Sequence, residues 1–198
     1  MKRSIWIVLT TLVLDQALKI WVKTHMYLGQ EHQIFDWFYI HFTENNGMAF
    51  GMEFGGDWGK LGLSLFRIVF VVFMASFLLK LIRKNADKVL IISLSLVLAG
   101  AIGNIIDGTF YGILFSESYR QLATFLPEAG GYAPLFFGKV VDMFYFPIYK
   151  GYLPEWIPFW GDDYFVFFRP VFNIADSAIS IGVAIMVIFQ KKVMKELE

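Results

Sequence analysis

The chain has 198 residues, of which 57% are hydrophobic, 19% aromatic and only 17% charged. Soluble globular domains are about 45–50% apolar and about 25% charged, so this composition argues against an ordinary soluble domain and for a protein partly solvated by lipid. The formal net charge is zero and no cysteine is present. Overall charge therefore gives no indication of a nucleic-acid partner, and disulfides, thiolate catalysis and cysteine-ligated zinc sites are excluded.

Four apolar segments are long enough to cross a bilayer, which takes about 20 residues. They lie at about 4–22, 61–82, 89–106 and 168–189. The first could be mistaken for a cleaved secretory leader, but Asp15 and Lys19 interrupt its apolar run and no small-residue cleavage site follows. The sequence thus predicts an all-α polytopic membrane protein with four transmembrane helices, folded as a single integral membrane domain over residues 1–198.

Lysine and arginine are unevenly distributed along the chain. They concentrate in the N-terminal flank, in the link between the second and third helices and in the C-terminal tail, whereas the connections at about 24–60 and 107–167 lean acidic. Basic flanks stay in the cytoplasm, so both termini are predicted to be cytoplasmic and both long connections to lie outside. The run at 32–42 is rich in strand-forming aromatic residues. We therefore expect a small strand-rich outer (periplasmic) platform and an extended outer loop.

Ionisable residues within apolar spans are costly, so each is a candidate for function. Ionisable side chains or asparagines lie in the outer part of every predicted helix. At a rise of about 1.5 Å per residue, all of them fall within about 12 Å of the outer surface. They are Asp15, Lys19, Arg67, Asn104, Asp107, Asn173 and Asp176. Unrelated structural polar residues would not converge on one level, so this pattern predicts one shared site.

The residue types at that level restrict the chemistry. All three histidines lie in the first outer connection, which argues against a zinc protease with a His-Glu-x-x-His motif and against a histidine-activated serine. Two aspartates in a poorly hydrated site share one proton, so one can take a proton from water while the other donates to a carbonyl, without a metal. Asp176 is one candidate member of such a pair. From spacing alone its partner is Asp15, Asp107 or Asp142.

Five short blocks of sequence occur in a fixed order along the chain. They are Asp15-Gln16-x-x-Lys19, TENNGMAFG at Thr43–Gly51, Gly103-Asn104-Ile105-Ile106-Asp107, Val140-Val141-Asp142-Met143-Phe144 and Phe172-Asn173-Ile174-Ala175-Asp176. Together, on a four-helix pattern, they resemble the motifs of the lipoprotein signal peptidases (signal peptidase II), a bacterial family of intramembrane aspartyl proteases. One block alone would be a weak match, whereas all five in order are specific.

The resemblance implies that Asp142 and Asp176 are the catalytic pair of a metal-independent endopeptidase. Its substrates would be diacylglyceryl-modified prolipoproteins, cleaved just before the lipidated cysteine. The implied substrate-binding residues are Asn45, Gly47, Asn104 and Asn173. Asn104 and Asn173 would either hydrogen-bond the substrate backbone or orient the pair. The implied support residues are Asp15, Lys19, Asp107 and Ala175. The expected setting is a multi-pass monomer in the bacterial cytoplasmic (inner) membrane, in contact with lipid, with its site facing outward and with no nucleic acid, metal or cofactor.

The sequence departs from the family pattern in two places. Gly108 follows Asp107 where the family usually has arginine. The role of that arginine is either lost or supplied elsewhere, with Arg169 and Arg120 as the candidates. The connections from Asp107 to Asp142 and from there to helix four are longer than is usual in the family. This extra sequence is rich in aromatic residues and glycine, and it predicts either an enlarged lid over the site or a decoration lying on the membrane interface.

Two other functions fit the composition. A small proton- or ion-coupled transporter would use the intramembrane aspartates as relays, although the sequence shows no paired broken helices or repeat symmetry of the kind many transporters have. A non-enzymatic membrane scaffold would have no use for convergent carboxylates. The transporter is therefore the alternative to the peptidase.

Overall fold

The computed structural model describes residues 1–47 and 56–197. In chain order the elements are helix α1 (Lys2–His25), strands β1 (Glu31–Phe35) and β2 (Phe38–Asn45), helices α2 (Gly56–Arg83) and α3 (Lys88–Ile106), a π-helical turn (Asp107–Tyr111), helix α4 (Gly112–Leu114), strands β3 (Val140–Tyr145), β4 (Tyr149–Tyr152), β5 (Tyr164–Phe167) and β6 (Val171–Phe172), and helices α5 (Ile174–Ile188) and α6 (Gln190–Leu197). The first three predicted helices lie inside α1, α2 and α3. The predicted outer connection at 107–167 begins as helix and leaves it only after Leu114.

Within the described residues, three helical stretches are long and apolar enough to cross a membrane. Lys2–His25, Trp58–Arg83 and Lys88–Leu114 reach mean hydropathies of 1.6, 2.4 and 2.4. Large apolar side chains on α2, among them Phe66 and Phe73, are exposed, as expected of a surface that faces lipid rather than water. The chain is therefore a polytopic membrane protein, as the sequence predicts.

The fourth predicted helix begins later than expected, at Ile174 instead of residue 168. Pro170 and the pairing of β6 keep the preceding residues extended, and Asn173 caps the helix: its side chain accepts a hydrogen bond from the Asp176 N–H at 2.8 Å. Asp176 thus lies in the first turn of α5, not several residues inside the helix. α5 has 15 residues and bends by 86° into α6, so a fourth crossing is counted only if the two form one bent span.

A four-stranded antiparallel sheet, in the order β1-β2-β3-β6, is the strand-rich part that the sequence predicts. Asp142 on β3 lies opposite Thr43 on β2, and Phe144 lies opposite Phe172 on β6. Because β6 ends one residue before the cap of α5, this register fixes the strand that carries Asp142 against the first turn of the helix that carries Asp176.

Close packing of α3 on α5 brings two further parts of the site together. A Cβ atom on Gly100 would lie 2.2 Å from the carbonyl oxygen of Ala175, and one on Gly182 would lie 2.6 Å from that of Ser93. Small residues allow helix backbones in membranes to approach closely. These glycines therefore set the distance between the C-terminal end of α3, which carries Asn104, and the first turn of α5.

Replacing Gly100 with alanine should destabilise the fold by about 1–3 kcal/mol, the usual cost of forcing extra volume into a packed contact. Gly62 on α2 is the matched control, since a Cβ atom there would meet no atom within 4 Å. Gly62→Ala should be neutral or stabilising by about 0.5–1 kcal/mol, because alanine favours a helix interior more than glycine does. Unfolding in detergent measures both variants, and equal effects would contradict this packing.

Candidate active site

Asp142 and Asp176, which we call the aspartate pair, meet through one asparagine. Asp142 lies on β3 with 3% of its surface exposed, and Asp176 is half-buried in the first turn of α5. Asn173 Nδ2 donates a hydrogen bond to Asp142 Oδ1 at 2.7 Å, and the Asn173 backbone N–H donates to Asp176 Oδ2 at 3.3 Å. A single residue therefore positions both carboxylates.

A second asparagine completes this link from α3. Asn104 Nδ2 donates to Asp176 Oδ1 at 2.7 Å, while its Oδ1 accepts from Asn173 Nδ2 at 3.2 Å and from Lys19 Nζ at 3.0 Å. Asn104 and Asn173 are two of the four residues expected to bind substrate. In this structure their amides are engaged with the aspartate pair and with each other, which is the geometry of residues that orient the acids.

The environment of Asp142 favours its neutral form. Burial raises its pKa to about 7, and the negative charge of Asp176 adds to the rise. The positive charge of Lys19 and hydrogen bonds from Asn173 and Asn45 act in the opposite direction and do not cancel it. Asp142 therefore keeps its proton up to near-neutral pH and can donate it.

Asp15 and Asp107, the other candidate partners of Asp176, lie beside Lys19 instead. Lys19 Nζ is 2.9 Å from Asp15 Oδ2 and 2.8 Å from Asp107 Oδ2, and all three side chains are fully buried. The buried cation offsets part of the charge of the two buried anions, although each ion has lost its hydration. We call these three residues the buried ion triad.

The buried ion triad also holds the backbone next to the aspartate pair. Asp15 Oδ1 accepts a hydrogen bond from the Ala175 N–H at 2.8 Å, and Asp107 Oδ2 accepts one from the Val141 N–H at 3.2 Å. Ala175 and Val141 each directly precede one member of the pair in sequence. The triad therefore positions both acids through their backbones, and Ala175 contributes its N–H group while its small side chain leaves room for α3.

Gln16 has no assigned role in the sequence prediction, yet it connects the same groups. Its Nε2 donates to Asp107 Oδ1 at 2.9 Å and to Asp15 Oδ2 at 3.1 Å, and its Oε1 accepts from the Tyr111 hydroxyl at 3.1 Å. The only signal for it in the sequence was its place inside the first motif. Ionised carboxylates only accept hydrogen bonds, so the amide group of Gln16 supplies hydrogen-bond donors to Asp15 and Asp107.

A second buried cluster was also missed from the sequence. Lys23 is fully buried, pairs with Glu44, lies 2.8 Å from Ser118 Oγ and sits over the ring of Tyr132 at 4.8 Å from its centroid. Burial alone would raise the pKa of Glu44, but the charges of Lys23 and Lys139 outweigh it and lower that pKa. A lysine near a helix end usually extends to the membrane surface, so no pattern in the sequence indicates that Lys23 turns inward.

Asn45 and Gly47 lie at the end of β2 and just beyond it. Asn45 Oδ1 accepts from the Gly47 N–H at 2.8 Å, and the Asn45 side chain also hydrogen-bonds Asp142. Gly47 has a φ of +84°, and a Cβ atom there would lie 2.6 Å from Arg67 Nη1. The rest of this motif, residues 48–51, lies outside the described residues.

Arg67, on α2, lies beside the site. Its guanidinium donates to the Gly47 carbonyl oxygen and interacts electrostatically with Asp176. Arg169 and Arg120 are both exposed, and the expectation that one of them replaces the arginine missing after Asp107 stays a prediction. Arg67 lies on α2, which no motif comparison along α3 would find.

An apolar cavity of about 150 Å³ opens beside this site between α2, α3 and α5. Its lining residues are Phe66, Arg67, Phe70, Val71, Ala101, Asn104, Ile105 and Ile179. Asn104 belongs both to this lining and to the hydrogen bonds around Asp176. The cavity therefore reaches a residue that hydrogen-bonds one member of the aspartate pair.

Known proteins share both the sequence and the fold. Residues 7–191 match the family model described as signal peptidase (SPase) II. The lipoprotein signal peptidase of Porphyromonas gingivalis is 55% identical over 183 residues, which cover 92% of this chain and 80% of that protein. The lipoprotein signal peptidase of Amoebophilus asiaticus is 39% identical over 197 residues, covering 95% and 79%.

Two solved structures are similar to this one. One, a bacterial membrane enzyme determined by the in meso method at 2.3 Å resolution, has a TM-score of 0.63 and 23% identity and covers 100% of this chain and 93% of its own. The other, a bacterial membrane enzyme determined by the same method at 1.9 Å resolution, has a TM-score of 0.59 and 24% identity, with coverages of 95% and 92%. At these identities the likeness shows a shared fold.

Proposed function

Because this chain belongs to the signal peptidase II family, we propose that it is a membrane endopeptidase that removes signal peptides from prolipoproteins, with Asp142 and Asp176 as its catalytic pair. The observation that carries the catalytic assignment is the sharing of Asn173 by the two carboxylates. Nothing in the comparisons favours the alternative of a small coupled transporter.

In this proposal the two acids have different roles. Protonated Asp142 donates to the oxygen of the scissile carbonyl, while ionised Asp176 takes a proton from the water whose oxygen attacks the carbonyl carbon. The tetrahedral intermediate then collapses as the C–N bond breaks, and the proton held by Asp176 passes to the leaving amine. Asp142 regains its proton from the intermediate's hydroxyl as the new carboxyl group forms.

The place of Asp176 suits an anion. It lies in the first turn of α5, where the helix dipole and free N–H groups favour negative charge. Acid and base both come from the protein, so the proposed reaction is metal-independent. Asn104 and Asn173 orient the pair, and Asn45 and Gly47 border the place where the substrate strand would lie.

The proposed substrate is a prolipoprotein whose cysteine carries diacylglycerol, cleaved just before that cysteine. Such a peptide has an apolar signal helix on one side of the scissile bond and acyl chains on the other. The apolar cavity between the helices supports this choice, because it offers apolar groups a place next to Asn104, which hydrogen-bonds Asp176.

We propose that residues 1–198 form one integral membrane domain with four crossings, α5 and α6 together forming the fourth. The basic link around Lys80, Arg83 and Lys84 supports cytoplasmic termini and an outward-facing site in the bacterial inner membrane. The proposed working unit is a monomer in contact with lipid.

A cleavage assay tests this function. The purified protein in detergent is given a diacylglyceryl-modified prolipoprotein or the same chain without lipid, each with and without EDTA, and the released signal peptide is measured by mass spectrometry. We expect cleavage of the lipidated substrate alone, at an unchanged rate in EDTA. Loss of cleavage in EDTA would overturn the metal-independent mechanism, and equal cleavage of both substrates would overturn the proposed specificity.

The raised pKa of Asp142 makes a separate prediction about stability. A carboxyl group whose pKa rises on folding, here from 3.8 to about 7, destabilises the folded state as pH increases through that range. Asp142→Asn removes this titration, so the variant should gain up to about 4 kcal/mol over the wild type between pH 4 and pH 8. Unfolding in detergent at several pH values measures the difference.

The control Asp163→Asn, at an exposed site, should show no such trend. A pH-independent difference for Asp142→Asn would contradict the prediction.

A further inference from the structure

The long sequence between β3 and α5 forms an ordered hairpin, which we call the aromatic hairpin (residues 148–168). β4 and β5 pair with Tyr149 opposite Phe167. Its tip is closed by two backbone hydrogen bonds, from the Leu153 N–H to the Asp163 carbonyl at 3.0 Å and from the Asp162 N–H to the Leu153 carbonyl at 3.1 Å. The tip therefore presents its side chains in a defined arrangement.

The tip of the aromatic hairpin exposes large rings. Phe159 is 98% exposed, Trp156 80% and Trp160 64%. Single exposed apolar residues are common on protein surfaces, but a contiguous patch of this kind marks a surface that contacts another molecule or a membrane. Tryptophan in particular is enriched where a membrane meets water.

The strands of the aromatic hairpin have two different faces, because side chains alternate along a strand. On one face the Lys150 ammonium lies over the rings of Tyr39 and Tyr145, at 4.4 Å and 5.3 Å from their centroids, so this face turns toward the four-stranded sheet. The opposite face carries Tyr149 and Phe167, which lie opposite each other on the two strands. Both side chains are exposed and uncharged.

The aromatic hairpin lies next to the start of α5 along the chain and in ring contacts. The hairpin leaves the sheet after β3 and returns to it at β6, one residue before the cap of α5. At this junction Phe146 stacks on Phe172 with centroids 5.6 Å apart, and Phe168 meets Phe172 edge-on at 6.0 Å. Below it, Ile181 and Val187 on α5 are exposed apolar residues of a membrane helix. The hairpin thus adjoins the first turn of a helix whose exposed apolar side chains suit lipid contact.

From the exposed rings of the tip and the junction with α5 we propose that the aromatic hairpin is an interfacial anchor, which inserts Trp156, Phe159 and Trp160 among the lipid headgroups and upper acyl chains beside α5. Asp162 and Asp163, on the return side of the tip, stay in water. The anchor holds the sheet, and with it the strand that carries Asp142, at a fixed depth. This inference concerns membrane contact and does not depend on the proposed peptidase activity.

Spin labels measure the depth directly, since the chain has no cysteine of its own. Phe159→Cys carries the test label, Asp163→Cys is the water control on the same tip, and Phe73→Cys, on the exposed face of α2, is the lipid control. Each labelled protein is reconstituted in phosphatidylcholine vesicles, and relaxation by oxygen, which concentrates in lipid, is compared with relaxation by a water-soluble nickel chelate. If the hairpin is an anchor, the ratio of oxygen relaxation to nickel relaxation at position 159 should be several-fold higher than at position 163. It should approach the ratio at position 73.

Three results would overturn the anchor. One is a ratio at 159 equal to that at 163, which would place the tip in water. Another is protection of the 159 label from both reagents, which would place the tip against protein, as a lid would be. The third is spin–spin broadening at 159 that disappears on dilution with unlabelled protein, which would assign the tip to contact between two copies. Signal-peptide cleavage by each labelled protein provides a folding check, and its failure in the wild type would count against the proposed function alone.

Discussion

Replacing either Asp142 or Asp176 with asparagine should lower the rate of signal-peptide cleavage by about 10²–10⁴-fold, the usual contribution of a positioned acid or base. Asparagine keeps the shape of aspartate, and its carbonyl oxygen can still accept the hydrogen bond that Asn173 donates. It cannot exchange a proton with water or substrate, so chemistry is lost while the fold is kept. Rates from single-turnover cleavage of a lipidated prolipoprotein measure the loss.

Two controls make this result specific. Asp163→Asn changes an exposed acid away from the site and should cleave at the wild-type rate. The double variant Asp142→Asn/Asp176→Asn should be no slower than the slower single variant, because residues that act as one unit do not contribute additively. Wild-type activity in either single variant would remove that residue from the pair.

Replacing Lys19 with methionine should destabilise the protein by about 3–5 kcal/mol, the usual cost of removing one partner of a buried ion pair. The change leaves the carboxylates of Asp15 and Asp107 buried without their cation. It should also weaken cleavage, since these carboxylates hold the backbone at Ala175 and Val141. Thermal unfolding in detergent and the cleavage assay measure the two effects.

The triple variant Asp15→Asn/Lys19→Met/Asp107→Asn separates charge from packing. It has no uncompensated buried charge, and its asparagines can still accept from the Ala175 and Val141 N–H groups. It should therefore be more stable than Lys19→Met alone, since neutralising a whole buried ion group costs much less than removing one member. A triple variant no more stable than Lys19→Met would show that charge compensation is not what Lys19 supplies.

Much of the membrane part could be predicted from the sequence, because apolar length is a local property of the chain. α1, α2 and α3 contain the predicted spans. The predicted start of the fourth helix at residue 168 was wrong, although the sequence contains a signal for the true start at Ile174. Asn173 and Asp176 have the spacing of a capping box, and Pro170 precedes them. The apolar composition of the segment hid this boundary.

The partner of Asp176 could not be found from spacing. Asp142 reaches it only because β3 pairs with β6, and pairing between distant strands leaves no local pattern in the sequence. The resemblance to the signal peptidase II family indicates Asp142 as the partner. The hydrogen bonds from Asn173 to both carboxylates provide a physical basis for this pairing. Lys23 and Gln16 were missed for a related reason, since their partners come from elements far away in sequence.

The pH dependence of kcat/KM for a lipidated prolipoprotein tests the aspartate pair most directly, because kcat/KM reports the ionisation of the free enzyme. Two acids that share one proton give a bell-shaped profile, and the alkaline limb should fall near pH 7 as Asp142 loses its proton. A rate that instead rises through pH 7 to a plateau, as expected when a metal-bound water ionises to supply the nucleophile, would contradict catalysis by this pair.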